Sequence, residues 1–259
     1  MGSESIVVDH VSKDFTMQYH RTLKQMAVAT VRGLPLKEHF RAVNDVSFTV
    51  EQGESIGLMG LNGSGKSTLL KLINGVMRPD AGQIRTRGRI AGLIATGAGF
   101  HPQLSGRDNL YLNGAILGMS EAEINRKFDE IVEFADIGKF LETPVSHDSS
   151  GMYARLGFSI AIHVDADIFL ADEVLAVGDR PFKKKCMAKM QEIRRQGTTI
   201  FYVSHASSSV RAMCDRVLVL ESGHLNFDGP VDEGIHYLQY DDDDETREAI
   251  ADGELGADI

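Results

Sequence analysis

Residues Gly60-Leu61-Asn62-Gly63-Ser64-Gly65-Lys66-Ser67-Thr68 have the types and the spacing to hold a polyphosphate. They fit the pattern G-x-x-x-x-G-K-(S/T), in which glycines let the backbone wrap until successive N–H groups point inward at phosphate oxygens. Lys66 then reaches the β- and γ-phosphates, and the Ser67 hydroxyl is placed to ligate Mg²⁺. An apolar run (Ser55 to Met59) precedes the loop and a helix-like stretch (Leu69 to Ile73) follows it. The positive end of that helix would lie beneath the same anion. The chain therefore reads as a binder of a nucleoside triphosphate.

Two further segments supply what hydrolysis would need. Ile168-Phe169-Leu170-Ala171-Asp172-Glu173 is an apolar strand ending in two acids, about 105 residues past the loop. In phosphate-loop NTPases the first such acid binds Mg²⁺ at the strand's carboxyl end, a role that falls to Asp172. Glu173, next along, would polarise the attacking water. His205 follows Tyr202-Val203-Ser204 at the end of another strand, where an imidazole can reach a γ-phosphate.

These groups need strands to carry them. Residues 6–11 and 42–50 read as strands, with alternation at Val46, Phe48 and Val50. Between them lies an excursion, roughly residues 16–41. There Leu23, Met26, Ala27, Thr30 and Val31 recur at the spacing of a short amphipathic helix. Arg21, Lys24, Arg32, Lys37 and Arg41 stand against Glu38 alone, so this helix suits a membrane surface or a partner, or else packs on the body. A helical pattern runs from about Ser105 to Phe158, with Ile124, Phe128, Ile131 and Val132 on one side. A strand at 168–171, a helix at 182–195, a strand at 198–203, a helix from Ser207 and a strand at 216–220 complete the series. Strands alternating with helices predict an α/β fold with a mostly parallel sheet.

Composition narrows the class. At 259 residues, 42% apolar and 25% charged, the chain is an ordinary globular protein with room for a core. No stretch approaches the roughly eighteen apolar residues of a membrane-spanning helix. The N-terminus lacks secretory n- and h-regions. Cys186 and Cys214, far apart and without metal-ligand spacing, read as reduced, partly buried thiols. The net charge of −10 is uneven, since residues 228–259 hold twelve acids and one base. Residues 1–240 are expected to form one domain. The run Asp241 to Glu245 opens a solvated, disordered tail over 241–259. Such a block repels a phosphate backbone, so nucleic acid is not the expected partner.

With the segment Asp148-Ser149-Ser150-Gly151-Met152-Tyr153-Ala154-Arg155, the chain resembles, over about residues 6–240, the nucleotide-binding subunit of ATP-binding cassette (ABC) transporters. The resemblance implies the ABC ATPase fold: a mostly parallel core sheet, an N-terminal antiparallel β subdomain and a helical subdomain inserted at about 100–160. It implies ATP and Mg²⁺ as cofactors, Ser67 and Asp172 as metal ligands, and Phe15 as the aromatic stacked on adenine. Ser149, Ser150 and Gly151 stand for the family's Leu-Ser-Gly-Gly-Gln peptide, which closes on the ATP of a second copy. Asp179 matches the loop that touches that copy. The family's Mg²⁺-sensing glutamine falls near Ala95-Thr96, where neither residue can do its work equally well, and Gln103 is offset. The region 95–115 is expected against a membrane partner.

The variant signature is also similar to one branch of that family, on Gly97-Ala98-Gly99-Phe100-His101-Pro102 and on Val174-Leu175-Ala176-Val177-Gly178-Asp179 with Phe182, Lys185 and Cys186. That branch comprises ATPase subunits of exporters for lipid-linked polysaccharides such as O-antigens, teichoic acids and galactan. It implies a homodimer, peripheral at the cytoplasmic face of the cell membrane, beneath two copies of a separate permease subunit. The excursion before the phosphate loop resembles that branch's helix at the glycan entrance. With no room for a carbohydrate-binding domain after residue 240, recognition of a modified glycan end is not expected of this chain. The alternatives are another transporter class, or a non-transport cassette ATPase acting on nucleic acid or ribosomes. A single cassette with an acidic tail disfavours the latter.

Overall fold

A computed structural model of the chain describes residues 4–18, 37–92, 99–144, 150–172 and 178–238. The β-branched N-terminal segments form two long antiparallel strands, β1 (Glu4–Gln18) and β2 (Lys37–Glu51). β4 (Ala81–Thr86) pairs with the other side of β1, giving a three-stranded sheet of order β2-β1-β4. Ile6, Val8, Val43, Val46 and Val50 turn inward from it. Both long strands run past the last buried residue, because backbone pairing continues from Phe15↔Phe40 to Gln18↔Lys37. The excursion expected over 16–41 is thereby corrected, since its described ends are a two-stranded ribbon. The amphipathic helix expected at 23–31 lies outside the described residues.

The second sheet holds β3 (Ser55–Met59), β5 (Ile90–Gly92), β6 (Ile168–Ala171), β7 (Thr199–Val203), β8 (Arg216–Glu221) and β9 (His224–Pro230), in the order β5-β6-β7-β3-β8-β9. All neighbours are parallel except β8 and β9. The inner strands are apolar throughout because both faces are covered. Successive side chains serve two cores. Met59, Phe169, Ala171, Ile200 and Tyr202 face the helical layer. Ile56, Leu58, Ile168, Leu170, Phe201 and Val203 face α1 (Lys66–Ile73) and the first sheet.

The helical segment predicted from Ser105 comprises α2 (Gly106–Ile116), α3 (Glu121–Ala135) and α4 (Ser150–Ile162). Ser105 and Ser120 start the first two helices by accepting from the Asp108 and Glu123 N–H groups, caps worth about 1 kcal/mol each. The layer is tied to the core through Glu123, which is 8% exposed. Its two carboxylate oxygens accept from Arg89 Nη1 at 3.1 and 2.9 Å, and Oε1 accepts from the Asp165 N–H at 3.2 Å. α5 (Arg180–Arg195), α6 (Ser207–Met213) and α7 (Val231–Tyr237) complete the chain. β9 and α7 escaped the sequence reading, which assigned the acidity beyond residue 228 to a tail. That stretch is folded through residue 238, with Asp228 paired to Arg216 at 3.3 Å and Asp232 to Arg211 at 3.0 Å. The run from Asp241 lies outside the described residues.

Candidate nucleotide site

Three adjacent parallel strands, β6, β7 and β3, bring the predicted residues together. The phosphate loop leaves the carboxyl end of β3, His205 follows β7, and Asp172 follows β6. Ligands in sheets of this kind sit beyond the carboxyl ends of the strands. A cavity of about 240 Å³ lies there, bordered by Asn62, Gly63, Gly65, Lys66, Asp172 and His205.

The loop's shape depends on glycine at two places. Gly60 and Gly65 take φ of 143° and 106°, and a Cβ on either would stand 2.1 Å from a backbone oxygen, that of Leu220 or of Ala42. The loop is further tied down by the turn after β8, whose Gly223 N–H donates to the Ser64 carbonyl at 2.9 Å. α1 begins at Lys66, directly after Gly65, and has no side-chain cap. Its first N–H groups therefore face the cavity end of the helix without internal acceptors, an arrangement suited to an anion.

Lys66 is buried, and its Nζ donates to the carbonyls of Gly60 at 2.7 Å and Leu61 at 3.1 Å. The ammonium is thus held against the loop at the border of the cavity. Ser64 Oγ is buried with no hydrogen-bond partner among the described residues, a polar atom that the loop itself does not satisfy. Ser67 and Thr68, in the first turn of α1, border the same cavity as Asp172. A hydroxyl and a carboxylate are the hard oxygen donors that Mg²⁺ takes alongside phosphate oxygens. The residues present therefore fit a triphosphate with its magnesium ion.

The aromatic wall differs in detail from the sequence reading. Phe15 and Phe40 are direct cross-strand partners, so both project from one face of the β1–β2 ribbon. Phe40, 45% exposed, borders the cavity. It was missed because the strand was expected to begin only at Ala42, with its alternation at Val46, Phe48 and Val50.

Not every predicted residue falls within the described structure. Glu173, Ser149 and the Ala95-Thr96 pair lie outside it. Ser150 opens α4 and Gly151 follows in its first turn. Asp179 is the N-cap of α5, its Oδ1 accepting from the Phe182 N–H at 3.2 Å and from Arg155 Nη2 at 2.6 Å. The Arg155 guanidinium, with the Phe182 N–H, holds that carboxyl below the usual carboxylate range. Gln103 is exposed, its N–H 3.3 Å from His101 Nδ1.

Asn109, fully buried on α2, is a second residue the sequence reading did not single out. Its side chain accepts from the His101 N–H at 2.6 Å and donates to the carbonyls of His101, Leu104 and Ser105. It thereby moulds the loop in which Phe100 meets the Tyr153 ring of α4, at 4.5 Å and 87°. Cys186 and Cys214 are buried thiols pushed up by burial to about 12, which makes them inert.

A larger cavity, about 370 Å³, opens at the opposite, amino-terminal ends of β6 and β7, beside Asp167 and Thr198. Its charges already answer one another. Lys127 bonds Asp165 and the His163 carbonyl, and Lys189 pairs with Glu130 and Glu192. It offers no phosphate cradle.

Comparison with known proteins agrees with this geometry. Residues 43–176 match the family described as ABC transporter. An ABC transporter protein of Aeromonas salmonicida is 48% identical over 76% of this chain and 64% of its own length. An O-antigen export system ATP-binding protein of Klebsiella pneumoniae is 42% identical, over 83% of this chain and 89% of its own. A teichoic acids export ATP-binding protein of Bacillus anthracis is 42% identical over 90% of this chain, which spans only 42% of that longer relative. Among solved structures, an ATP-binding subunit of an ABC transporter superposes with a TM-score of 0.72 at 23% identity, covering 93% of this chain and 97% of that one. A dimeric ATP-binding cassette in a post-hydrolysis state with ADP and phosphate gives 0.70 at 20% identity, covering 87% and 98%. The family match over residues 43–176, with 42% identity to a relative along most of both chains, places this chain in the ABC transporter family.

Proposed function

We propose that the chain is the ATP-hydrolysing subunit of an exporter for lipid-linked polysaccharide, of the O-antigen or cell-wall galactan type. The observation that carries the reading is the identity with O-antigen export ATP-binding proteins along most of both chains. The chain acts as a homodimer, peripheral at the cytoplasmic face of the cell membrane, beneath two copies of a separate permease subunit. Among the described residues no helix is long and apolar enough to cross a membrane.

Lys66 and the first N–H groups of α1 bind and neutralise the β- and γ-phosphates, while Asn62 to Gly65 wrap them. Phe40 and Phe15 supply the flat wall for the base. Ser67 and Asp172 would hold Mg²⁺, which would supply neutralisation of the charge on the phosphate oxygens. Glu173 orients the attacking water, and His205 approaches the γ-phosphate from the end of β7. Among the described residues, none from α4 borders the cavity. This supports the reading that Ser149, Ser150 and Gly151 serve the nucleotide of the other subunit, with Asp179 close to that interface. Residues 95–115 face the permease.

The test is Glu173→Gln in the full chain. The variant retains ATP binding, accumulates as a nucleotide-loaded dimer on size exclusion, and stops export when expressed with its permease. Normal turnover in this variant removes Glu173 from the mechanism.

A further inference from the structure

The sequence counts Arg41 among the cations of an excursion suited to a membrane surface, but the structure commits its guanidinium to the protein. The β1–β2 register skips Ala42, pairing Lys13 with Val43 and Asp14 with Arg41. Such a bulge bends a strand and re-aims the side chains beyond it. It sits against the phosphate loop, since the Ala42 carbonyl oxygen is the atom that a Cβ on Gly65 would meet. Beyond it, among the described residues, the ribbon has two strands alone, which is marginal support for a binding surface. Phe15 and Phe40 lie on one face of this ribbon, and their chain neighbours Asp14 and Arg41 lie on the other.

On that rear face Arg41 Nε and Nη2 donate to Asp14 Oδ1 and Oδ2 at 2.7 and 3.1 Å, a two-pronged clamp across the strands. The Asp14 N–H donates to Asp80 Oδ2 at 2.8 Å and Lys13 Nζ to Asp80 Oδ1 at 3.0 Å, which ties β1 to the turn before β4. Arg41 Nη1 reaches Asn44 Oδ1 at 3.3 Å. Asn44 in turn donates through Nδ2 to His224 Nε2 at 2.9 Å and through its N–H to the Gly223 carbonyl at 2.8 Å. The Gly223 N–H holds the Ser64 carbonyl of the phosphate loop. A continuous polar path therefore runs from behind the aromatic pair to the loop. Phe40 and Ala42 border the nucleotide cavity, while Arg41 between them does not.

We propose that Arg41 is a positioning residue for recognition of the nucleotide base: its clamp on Asp14 and its reach to Asn44 hold Phe40 at the distance from the phosphate loop that a base needs. The inference rests on the reading that Phe40 and Phe15 form the wall for the base. A lysine carries the same charge but cannot grip both Asp14 oxygens and Asn44 together. The Arg41 and Asp14 side chains are 53% and 41% exposed, so their pair adds little to global stability. Its effect is local, on where the ring stands. A bare polyphosphate reaches the loop without touching the wall, so the clamp separates a nucleotide from a polyphosphate.

The test uses the full chain with Arg41→Ala, Arg41→Lys, Phe40→Ala and the double variant Phe40→Ala/Arg41→Ala. The readouts are affinity for ATP and for inorganic triphosphate, thermal midpoint, and kcat and KM for ATP. Arg41→Ala is expected to weaken ATP about fivefold, most of the roughly tenfold that one stacked ring supplies. Triphosphate affinity should stay within about twofold and the thermal midpoint within about 2 °C. KM should rise with kcat nearly unchanged, the mark of lost binding that the ground and transition states share. Arg41→Lys should lose nearly as much as Arg41→Ala. In the double variant the Arg41 change should add less than about twofold, because it acts through the ring already removed. Equal losses for ATP and triphosphate overturn the proposal, since they mark a residue that supports the loop or steers charge. Full ATP affinity in Arg41→Lys, or losses that multiply in the double variant, overturns it too. If Phe40→Ala binds ATP like the parent, the stacking reading itself fails. If Phe40→Ala weakens ATP selectively while Arg41→Ala does not, only the positioning role fails.

Discussion

Replacing Gly65 by alanine tests whether the loop's curvature, and not its charge, creates the phosphate site. Gly65 takes φ of 106°, and a Cβ there would lie 2.1 Å from the Ala42 carbonyl oxygen. That is more than about 1 Å inside an ordinary close C···O approach of about 3.3 Å. The backbone must shift, and holding an L-residue in that region costs roughly 1–3 kcal/mol more. The N–H groups at the start of α1 then leave the phosphate. Losing two charge-assisted hydrogen bonds at about 1.5–3 kcal/mol each weakens ATP binding by at least about a hundredfold. Gly63 provides the contrast. Its φ is 82°, but a Cβ there meets nothing within 4 Å. Gly63→Ala carries backbone strain alone and loses roughly tenfold or less. Isothermal titration with ATP measures both. The added Cβ also meets the core side chain of Leu220 at 3.2 Å, so Gly65→Ala lowers the thermal midpoint as well, at about 2–4 °C per kcal/mol for a chain this size. If Gly65→Ala binds ATP within threefold of the parent, or if Gly63→Ala proves the more damaging, the cradle argument is wrong.

Phe40→Ala, which removes an exposed ring from the cavity wall, is expected to weaken ATP binding by roughly tenfold, about one stacking contact. Affinity for inorganic triphosphate should not change, and equal losses for both ligands would refute the stacking role. Stability should also depend on His163, buried on the helical layer with Nδ1 2.6 Å from the Ser159 carbonyl. Burial pushes this imidazole below its usual 6.5, so the unfolded chain takes up the proton first. Its contribution is full above about pH 6.5 and lost as pH falls below it. Thermal midpoints from pH 7.5 to 5.5 should decline more steeply in the parent than in His163→Gln, and parallel profiles would exclude His163 as the source.

The sequence made much of the fold legible because its inner strands are apolar on both faces and its loop motif demands a strand before and a helix after. The serines that start α2 and α3 carry a local signal that went unused, since each precedes an acid three residues on. β9 and α7 were not legible. β9 alternates weakly and carries Asn226 and Asp228, and its place is fixed by pairing with β8, which no local pattern announces. At the site, the loop, Asp172 and His205 were legible because each sits directly after an apolar strand. Phe40 and Asn109 were not. The first depends on ribbon pairing beyond the buried alternation, the second on a buried side chain satisfying loop carbonyls several residues back. Arg155 and Asp179 were both named from the sequence, but their pairing is set in space.

The central claim is that a nucleotide held by one copy is hydrolysed with the help of another. The most direct measurement is ATPase activity of mixed dimers formed from two separately inactive variants, Lys66→Ala and Ser149→Arg. A mixed dimer contains one composite site with an intact phosphate loop from one subunit and an intact signature peptide from the other. The account predicts that mixing restores hydrolysis, rising with the fraction of mixed dimer. If the mixture stays as inactive as its parts while mixed dimers form, each site is completed within its own subunit and the account is contradicted.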